Sequence, residues 1–597
     1  MKDIKMSLND VLSPFLAWKN LFKEPVSIKK PLEREGAARY RGFHQNDMDK
    51  CIGCGTCEVI CQNASIDMVP VEGIETKDGD SGLRPLIDYG RCCWCALCVD
   101  ICTTGSLTMS NAFTWIDTDP EVFRFIPGVD KKPWDNDELG YKKPDNYELY
   151  PPERIKMDEL PVEDREMSFL EIVKGYSKEQ AMKEADRCVE CGICIATCPA
   201  HMGIPQYIAA IREDDMEKGL KILYETNPMS AVCGRACTHR CEDVCALTHS
   251  GDPISIRWLK RYIIDQVPSS EICKILDPDM LPNDKKIAII GSGPGGMTAA
   301  YYLVLLGYNV TVFEEKENAG GMLRYGIPEY RLPYDQLDKD IDYIASLGIK
   351  MVYNTRVGKD VMFNDLMKDY DAVFCSTGMA KPYIMGLEGE KDNPKVISGI
   401  EVLDDATKGK KPRFGKSVVV IGGGSTAMDS ASTAKRLGAE ATILYRRREE
   451  DMPAEADEIS GAKLEGVNII TQAIPIKIEE AENGQVKFIW NKAEMVDDGS
   501  TKRPIPVPIE GDIHVTQVDT IIPAIGQEAD YSYFPEDIFK SLTFKWGKLK
   551  TDQFGQTAVP KVFAGGDIVN ATADAITAIA DGHRAAKGID KFLNRKT

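Results

Sequence analysis

Residues 285–300, KKIAIIGSGPGGMTAA, decide the fold of the larger part of this chain. They read as an apolar strand, a glycine turn and the start of a helix. Gly291 makes the tight turn, Gly293 lets the backbone approach a pyrophosphate, and Gly296 lets the helix pack closely on the strand. A second apolar strand, VTVFEE at 310–315, follows about 20 residues on and places Glu314 where an acid bonds ribose hydroxyls. The glycine pattern alone is weak; with a strand before it, a helix after it and the acid it is specific.

The pattern returns at 416–429, KSVVVIGGGSTAMD, with Gly422, Gly424 and Ala427 in the three small-residue positions. The strand after it ends TILYRRRE, so the ribose acid is missing and Arg446, Arg447 and Arg448 stand in its place. Guanidinium groups there suit a 2'-phosphate, which favours NADPH over NADH. A solvated basic turn is the alternative. A second dinucleotide fold inserted in the first requires the chain to return and finish the first, and VFAGGDIVN at 562–570 reads as that return.

Upstream, 16 of the 19 cysteines fall in four runs of four. Cys51, Cys54, Cys57 and Cys61 are spaced C-x2-C-x2-C-x3-C, and Cys92, Cys95, Cys98 and Cys102 repeat it. In a two-cluster ferredoxin, three cysteines of each run hold one 4Fe-4S cube and the fourth reaches the other cube, so the spacing predicts a crossed pair. Cys188, Cys191, Cys194 and Cys198 give the pattern again, followed by Pro199, and Cys233, Cys237, Cys241 and Cys245 recur at every fourth residue. The last run also suits a buried helical stripe. Structural zinc prefers two separated ligand pairs. Disulfides fit poorly with an odd cysteine count in a large chain without a recognisable secretory signal. Cys93 reads as a non-ligand, because Cys92 keeps the register with Cys95 and Cys98.

With 597 residues, 43% hydrophobic, the chain can bury several cores. A formal net charge of -20 argues against nucleic acid as a partner. No apolar run approaches the ~20 residues of a membrane span, and the thiols suggest a reducing, anaerobic cytoplasm. Residues 11–25, VLSPFLAWKNLFKEP, have roughly helical spacing and read as a surface that lies on a partner or a membrane. Residues 113–165, rich in Pro, Asp, Glu, Lys and Tyr, read as a surface linker. SFLEIVKGYSKEQAMKEADRC at 168–188 has helical periodicity, with Ser177 and Gln180 as a capping box.

Two resemblances follow from these motifs. FKEPVSIKKPLEREGAARYRGFHQNDMDKCIGCGTC and IDYGRCCWCALCVDIC resemble the two-cluster ferredoxin subunit of respiratory complex I, over about the first 110 residues; Gln62 and Thr103 replace the proline that commonly follows each run. That resemblance implies that the leading segment docks on neighbouring subunits. From about residue 155, RCVECGICIATCPAHMGIPQYI, NPMSAVCGRACTHRCEDVC and the flavoprotein motifs resemble the small subunit of bacterial glutamate synthase. Its relatives include the large subunit of ferredoxin-dependent NAD/NADP transhydrogenase and the reductase half of dihydropyrimidine dehydrogenase.

The second resemblance implies FAD at the first glycine motif and NADP at the second, with NAD an alternative. It implies that GGMLRYGIPEYRLP at 320–333, with Gly321 and Leu323, lines the flavin, that Gly566 and Asp567 face its ribityl chain, and that Gly378 and Gly526 mark the crossings between the two folds. One 4Fe-4S cluster falls to Cys188, Cys191, Cys194 and Cys245, another to Cys198, Cys237 and Cys241. Relatives supply a downstream Glu or Gln as its last ligand, where this chain has Lys260, whose ammonium cannot ligate iron. Cys233 is the expected substitute; an unusual ligand or an absent cluster are the alternatives.

The expected architecture is multidomain, α+β and α/β: a docking segment at 1–40, a two-cluster ferredoxin at 41–112, the linker at 113–165, a helical iron-sulfur domain at 166–275, an FAD domain at 284–390 and 527–597, and an NAD(P)H domain inserted at 391–526. The expected function is that of an oxidoreductase subunit passing electrons between NAD(P)H, FAD and four clusters, to or from ferredoxin or a partner subunit, with bifurcation left open. The rivals are a glutamate synthase-type reductase, the reductase of a 2-oxoacid oxidoreductase or hydrogenase complex, and a non-enzymatic wiring subunit. No side-chain acid, base or nucleophile is required, and His249 and His583 read as structural. After Cys245 only Cys273 and Cys375 remain, too far apart in sequence to suggest a redox-active disulfide.

Overall fold

A computed structural model describes residues 12, 13, 15, 17–23, 36–138, 140–166, 168–278, 280, 282–410, 413–482, 484–497, 499 and 504–594. The expected docking segment falls largely outside the described residues; within it, Ala17–Phe22 forms a short 3-10 helix. The chain divides into two compact units, Met1–Tyr150 and Pro151–Thr597.

In the first unit, β1 (His44–Asn46), β2 (Ile66–Pro70), β3 (Leu83–Asp88) and β4 (Leu107–Met109) form two antiparallel pairs, β1 with β4 and β2 with β3. Each cysteine run lies between the strands of different pairs and carries its third cysteine on a one-turn helix, Thr56–Val59 or Leu97–Asp100. A core of Phe43, Ile66, Ile87, Val99, Leu107 and Met109 lies beneath them.

The stretch expected as a surface linker, 113–165, is anchored at several points in its first part. Arg124–Phe125 pairs with β3, Trp134 is 5% exposed and stacks on Phe43 at 4.4 Å, and Tyr141 donates to Asp100 at 2.8 Å. The polar composition masks widely spaced aromatics: Phe125, Trp134 and Tyr141 are buried on the cysteine fold, and half-buried Trp115 and Phe123 pack against them.

The second unit begins with helices. Ser177 accepts from the Gln180 N–H and Gln180 reciprocates, so the capping box starts Lys178–Asp186, the helix that delivers Cys188. Residues 168–177 do not extend it: Gly175 has φ +90°, and the cap itself fixes the helix start. The fourth cysteine run is not one helical stripe either. Ser230–Ala236 ends where Cys237 turns extended, and Arg240–Asp243 starts anew, so Cys233 and Cys241 sit on different helices.

Two parallel sheets follow. The first has five strands in the spatial order Val562–Ala564, Ala372–Cys375, Lys286–Ile290, Asn309–Phe313, Lys350–Val352. The second has four, Asn468–Thr471, Glu440–Tyr445, Ser417–Ile421 and Thr520–Pro523. Chain segments leave and re-enter the first fold side by side, with Lys381–Pro382 antiparallel to Gln527–Glu528. An antiparallel sheet of three strands, Ala473–Glu480, Val486–Val496 and Ile505–Val518, packs on the second fold through Phe488 and Trp490.

Candidate functional site

The first glycine turn is built for close approach. At Gly291, φ +96°, a Cβ would stand 2.5 Å from the Ser376 carbonyl oxygen, and at Gly296 one would stand 2.0 Å from the Gly291 oxygen. At Gly293 a Cβ would meet nothing within 4 Å, so its missing side chain leaves an open cradle at the start of Pro294–Leu305. Glu314, buried at the end of its strand, accepts from Ser292 N–H at 3.0 Å and Ser292 Oγ at 2.6 Å, and from Lys316 N–H at 2.8 Å. These bonds fix the carboxylate against the glycine turn.

The turn opens on a cavity of about 1370 Å³. Gly291, Gly293, Glu314, Gly321 and Leu323 line it, as do Gly378, Gly526, Gly566 and Asp567. Gly296 packs behind the turn. Burial pushes the Asp567 carboxyl up to about 6, against the opposing charge of Lys548. An open cradle, a fixed acid and a large cavity with mixed polar lining fit a flavin dinucleotide.

The second turn repeats the geometry. Gly422 has φ +143° and room only for hydrogen, with the Ala524 oxygen 2.2 Å from where a Cβ would lie; Gly424 faces open space, with Pro453 Cγ nearest at 3.7 Å; Ala427 is fully buried. The cavity wall reaches this fold through Ser425, Thr426 and Asp429, and does not include Gly422, Gly424, Ala427, Arg446 or Arg447. Among the described residues the three arginines differ. Arg448 is held by Asp451 at 2.9 Å and by Glu450 at 3.1 Å, whereas Arg446 and Arg447 make no ion pair and Arg447 Nε is buried without a hydrogen-bond partner. Two uncommitted guanidinium groups beside an open glycine turn fit a phosphorylated ribose.

The cysteines group by charge as well as by sequence. Cys61 bears electrostatically on Cys92, Cys95 and Cys98, and both Cys98 and Cys102 bear on Cys57, so the two runs lie side by side. Cys93 is exposed and lies within hydrogen-bond reach of Cys95. In the second unit, Cys245 bears on Cys188, Cys191 and Cys194, Cys241 bears on Cys194 as well, and Cys237 and Cys198 bear on Cys241. Cys233, fully buried, is hydrogen-bonded to Cys237. That bond, with help from Lys260, lowers the Cys237 thiol below the usual cysteine range, while burial pushes Cys188 up to about 12. Among the described residues no three His, Cys, Asp or Glu side chains converge tightly enough for a single metal ion. A cubane holds its thiolates farther apart than one ion does, and an all-cysteine donor set is the chemistry of such clusters.

Sequence reasoning missed three features. Cys237, with Thr238 and His239, lines the same cavity as Gly293 and Asp567. Lys260 is 4% exposed and interacts with Cys198, Cys233, Cys237 and Cys241; a buried lysine carried into a cysteine cluster was visible only as a mismatch. Arg331, in the loop that follows Leu323, pairs with Asp429 at 2.6 Å and with Glu458, tying the first fold to the second. His583 stacks on Tyr302 at 3.9 Å, consistent with a packing role.

Comparison with known proteins agrees with this geometry. Residues 285–582 match the model of pyridine nucleotide-disulphide oxidoreductases, 165–272 that of dihydropyrimidine dehydrogenase domain II with its 4Fe-4S cluster, and 44–67 that of a 4Fe-4S binding domain. Cys375 is the only cysteine in the first of these stretches, so the flavin fold carries no disulfide pair. The chain is 38% identical over 427 residues to the NADPH-Fe(3+) oxidoreductase subunit beta of Geobacter sulfurreducens, an alignment covering 67% of this chain and 63% of that one. It thus spans less than two thirds of that relative. It is 31% identical over 592 residues to the putative oxidoreductase AegA of Escherichia coli, covering 93% and 87%. It is 33% identical over 481 residues to the NADPH glutamate synthase small chain of Escherichia coli, covering 75% of this chain and 98% of that one. The chain belongs to the iron-sulfur flavoprotein oxidoreductase family that includes the small chain of NADPH glutamate synthase.

Proposed function

We propose that this chain is the pyridine-nucleotide subunit of a larger redox assembly, exchanging electrons between NADPH and a ferredoxin or partner subunit. The observation that carries this reading is the place of Cys237 on the wall of the flavin cavity. When bound, FAD supplies the conversion between hydride and single-electron chemistry.

The residues divide the rest of the work. The backbone at Gly293 and the helix start behind it bind a pyrophosphate, Glu314 orients the adenosine ribose, and Asp567 with Gly566 faces the cavity where the ribityl chain belongs. Gly422, Gly424 and Ala427 admit the second dinucleotide, and Arg446 and Arg447 select its 2'-phosphate. Cys198, Cys233, Cys237 and Cys241 hold the cluster next to the flavin. Cys188, Cys191, Cys194 and Cys245 hold the one beyond, with buried Tyr207 under the influence of thiols from both sets. Cys51, Cys54, Cys57 and Cys102 hold one cluster of the ferredoxin unit, and Cys92, Cys95, Cys98 and Cys61 the other. The relatives named as subunits support a hetero-oligomer. No described helix is long and apolar enough to cross a membrane, and the reduced-thiol chemistry supports a cytoplasmic setting.

Anaerobic titration of the full chain, loaded with FAD and iron-sulfur clusters, tests this. NADPH should bleach the flavin and drive viologen reduction. An absence of bleaching with either nicotinamide would contradict it.

A further inference from the structure

The two cysteine runs of the first unit are related by a pseudo-twofold that the strand register makes explicit. The offset that carries Cys51 to Cys92 also carries His44 to Pro85 and Met68 to Met109. In the ladders His44 pairs with Met109, and Met68 pairs with Pro85. His44 and Pro85 therefore occupy equivalent places in the two ladders, and the same offset carries Cys57 to Cys98.

Their chemistry is not equivalent. His44 is buried, and its Nε2 lies 3.2 Å from Cys98 Sγ. On the other side of the ring, Nδ1 lies 3.0 Å from the Tyr89 hydroxyl, which also accepts the His44 backbone N–H at 2.8 Å. A metal-bound sulfur has no proton to give, so Nε2 must be the donor toward Cys98, and the Tyr89 hydroxyl spends its proton on Nδ1. At the twin position proline offers no donor, and the polar neighbour of Cys57 Sγ is the Met68 thioether at 4.0 Å.

The other donors do not erase this difference. Cys61 and Cys102 have matching hydroxyls, Ser65 at 3.0 Å and Ser106 at 3.4 Å, with Thr104 also 3.6 Å from Cys102. Buried Arg84 near Cys51 is neutralised by two bonds to Asp80, at 2.9 and 2.8 Å. Thr56 lies 3.1 Å from Cys54, and Leu97 stands at its twin position. The unmatched side-chain donors are thus two hydroxyls, Thr56 and Thr104, toward one cluster, and the Cys93 thiol with an imidazole locked by Tyr89 toward the other.

We propose that His44 is a tuning residue: its N–H···S bond to Cys98 raises the reduction potential of the cluster held by Cys92, Cys95, Cys98 and Cys61, and of that cluster alone. Hydrogen bonds to ligand sulfurs stabilise the more negative, reduced state of a cluster. The proposal rests on the assignment of two clusters to this unit, which iron content tests separately.

The test is an EPR-monitored redox titration of the full chain. In His44→Leu one midpoint should fall while the others hold, with iron content and flavin bleaching by NADPH unchanged. His44→Gln, which keeps an N–H donor, should recover part of the shift. Retained iron with no midpoint moved, or all midpoints moved together, would overturn the proposal. If His44→Leu fails to retain iron, Tyr89→Phe decides: a lowered midpoint for one cluster supports it, and an unchanged set overturns it. Wild-type iron too low for two clusters in this unit would contradict the underlying assignment before any variant is compared.

Discussion

Asp340, on the helix Tyr334–Ser346 of the flavin fold, accepts the backbone N–H of Val232 at 3.0 Å and that of Ala231 at 3.3 Å. It thereby caps the helix that carries Cys233, and Tyr224 donates to it at 3.2 Å. Burial outweighs these donors and pushes the carboxyl up to about 7. The folded chain therefore binds this proton more tightly than the unfolded chain does, so stability contributed by the protonated group is lost as pH rises from about 4 to about 7. Thermal melts across pH 5 to 8 should show that decline, and Asp340→Asn, which keeps the acceptor without the charge, should flatten it. A variant with the wild-type pH profile would show that Asp340 does not govern this window.

Lys260 and Cys233 meet because two helices approach closely: a Cβ on Gly234 would stand 2.9 Å from the Arg261 Cα. Cys233→Ser should lose about one cluster's worth of iron and leave the other clusters in place. Lys260→Met should keep the iron and lower one midpoint, since it removes a buried positive charge beside the thiolates. Iron analysis with EPR checks both, and full iron in Cys233→Ser would return the fourth ligand to another group.

Arg446 and Arg447 are left uncommitted while Arg448 is paired. Charge-assisted bonds to a phosphate are worth about 1.5–3 kcal/mol each. Replacing both by alanine should therefore raise the Kd for NADPH roughly 100-fold or more while changing that for NADH little. Equal weakening of both nucleotides would remove these residues from 2'-phosphate recognition.

Gly291 and Gly293 separate folding from binding. An alanine at Gly291 meets backbone oxygen at 2.5 Å in a left-handed conformation, so Gly291→Ala should lower stability by several kcal/mol. Gly293→Ala meets no protein atom and should melt as the wild type does, yet purify with little flavin. Normal flavin content in Gly293→Ala would place the pyrophosphate elsewhere.

What the sequence made legible was chemistry carried by fixed local spacing. The glycine turn before Pro294, the acid at Glu314 and the cysteine runs are dictated within short stretches, and the parallel sheets followed from them. What stayed hidden depends on long-range packing. Trp134 and Tyr141 lie in a polar stretch whose burial only the partners Phe43 and Asp100 reveal. Arg331 reads as one more charge in a loop until Asp429 closes on it. Cys237 was visible as a ligand candidate, but its place on the flavin cavity follows from the break of the helix at Ala236.

The most direct test of the central claim is rapid freeze-quench EPR of the full chain after mixing with NADPH, beside the same trace for Cys237→Ala. The account predicts that both proteins bleach the flavin but only the wild type passes electrons rapidly to its clusters. Equally fast cluster reduction in Cys237→Ala would contradict it.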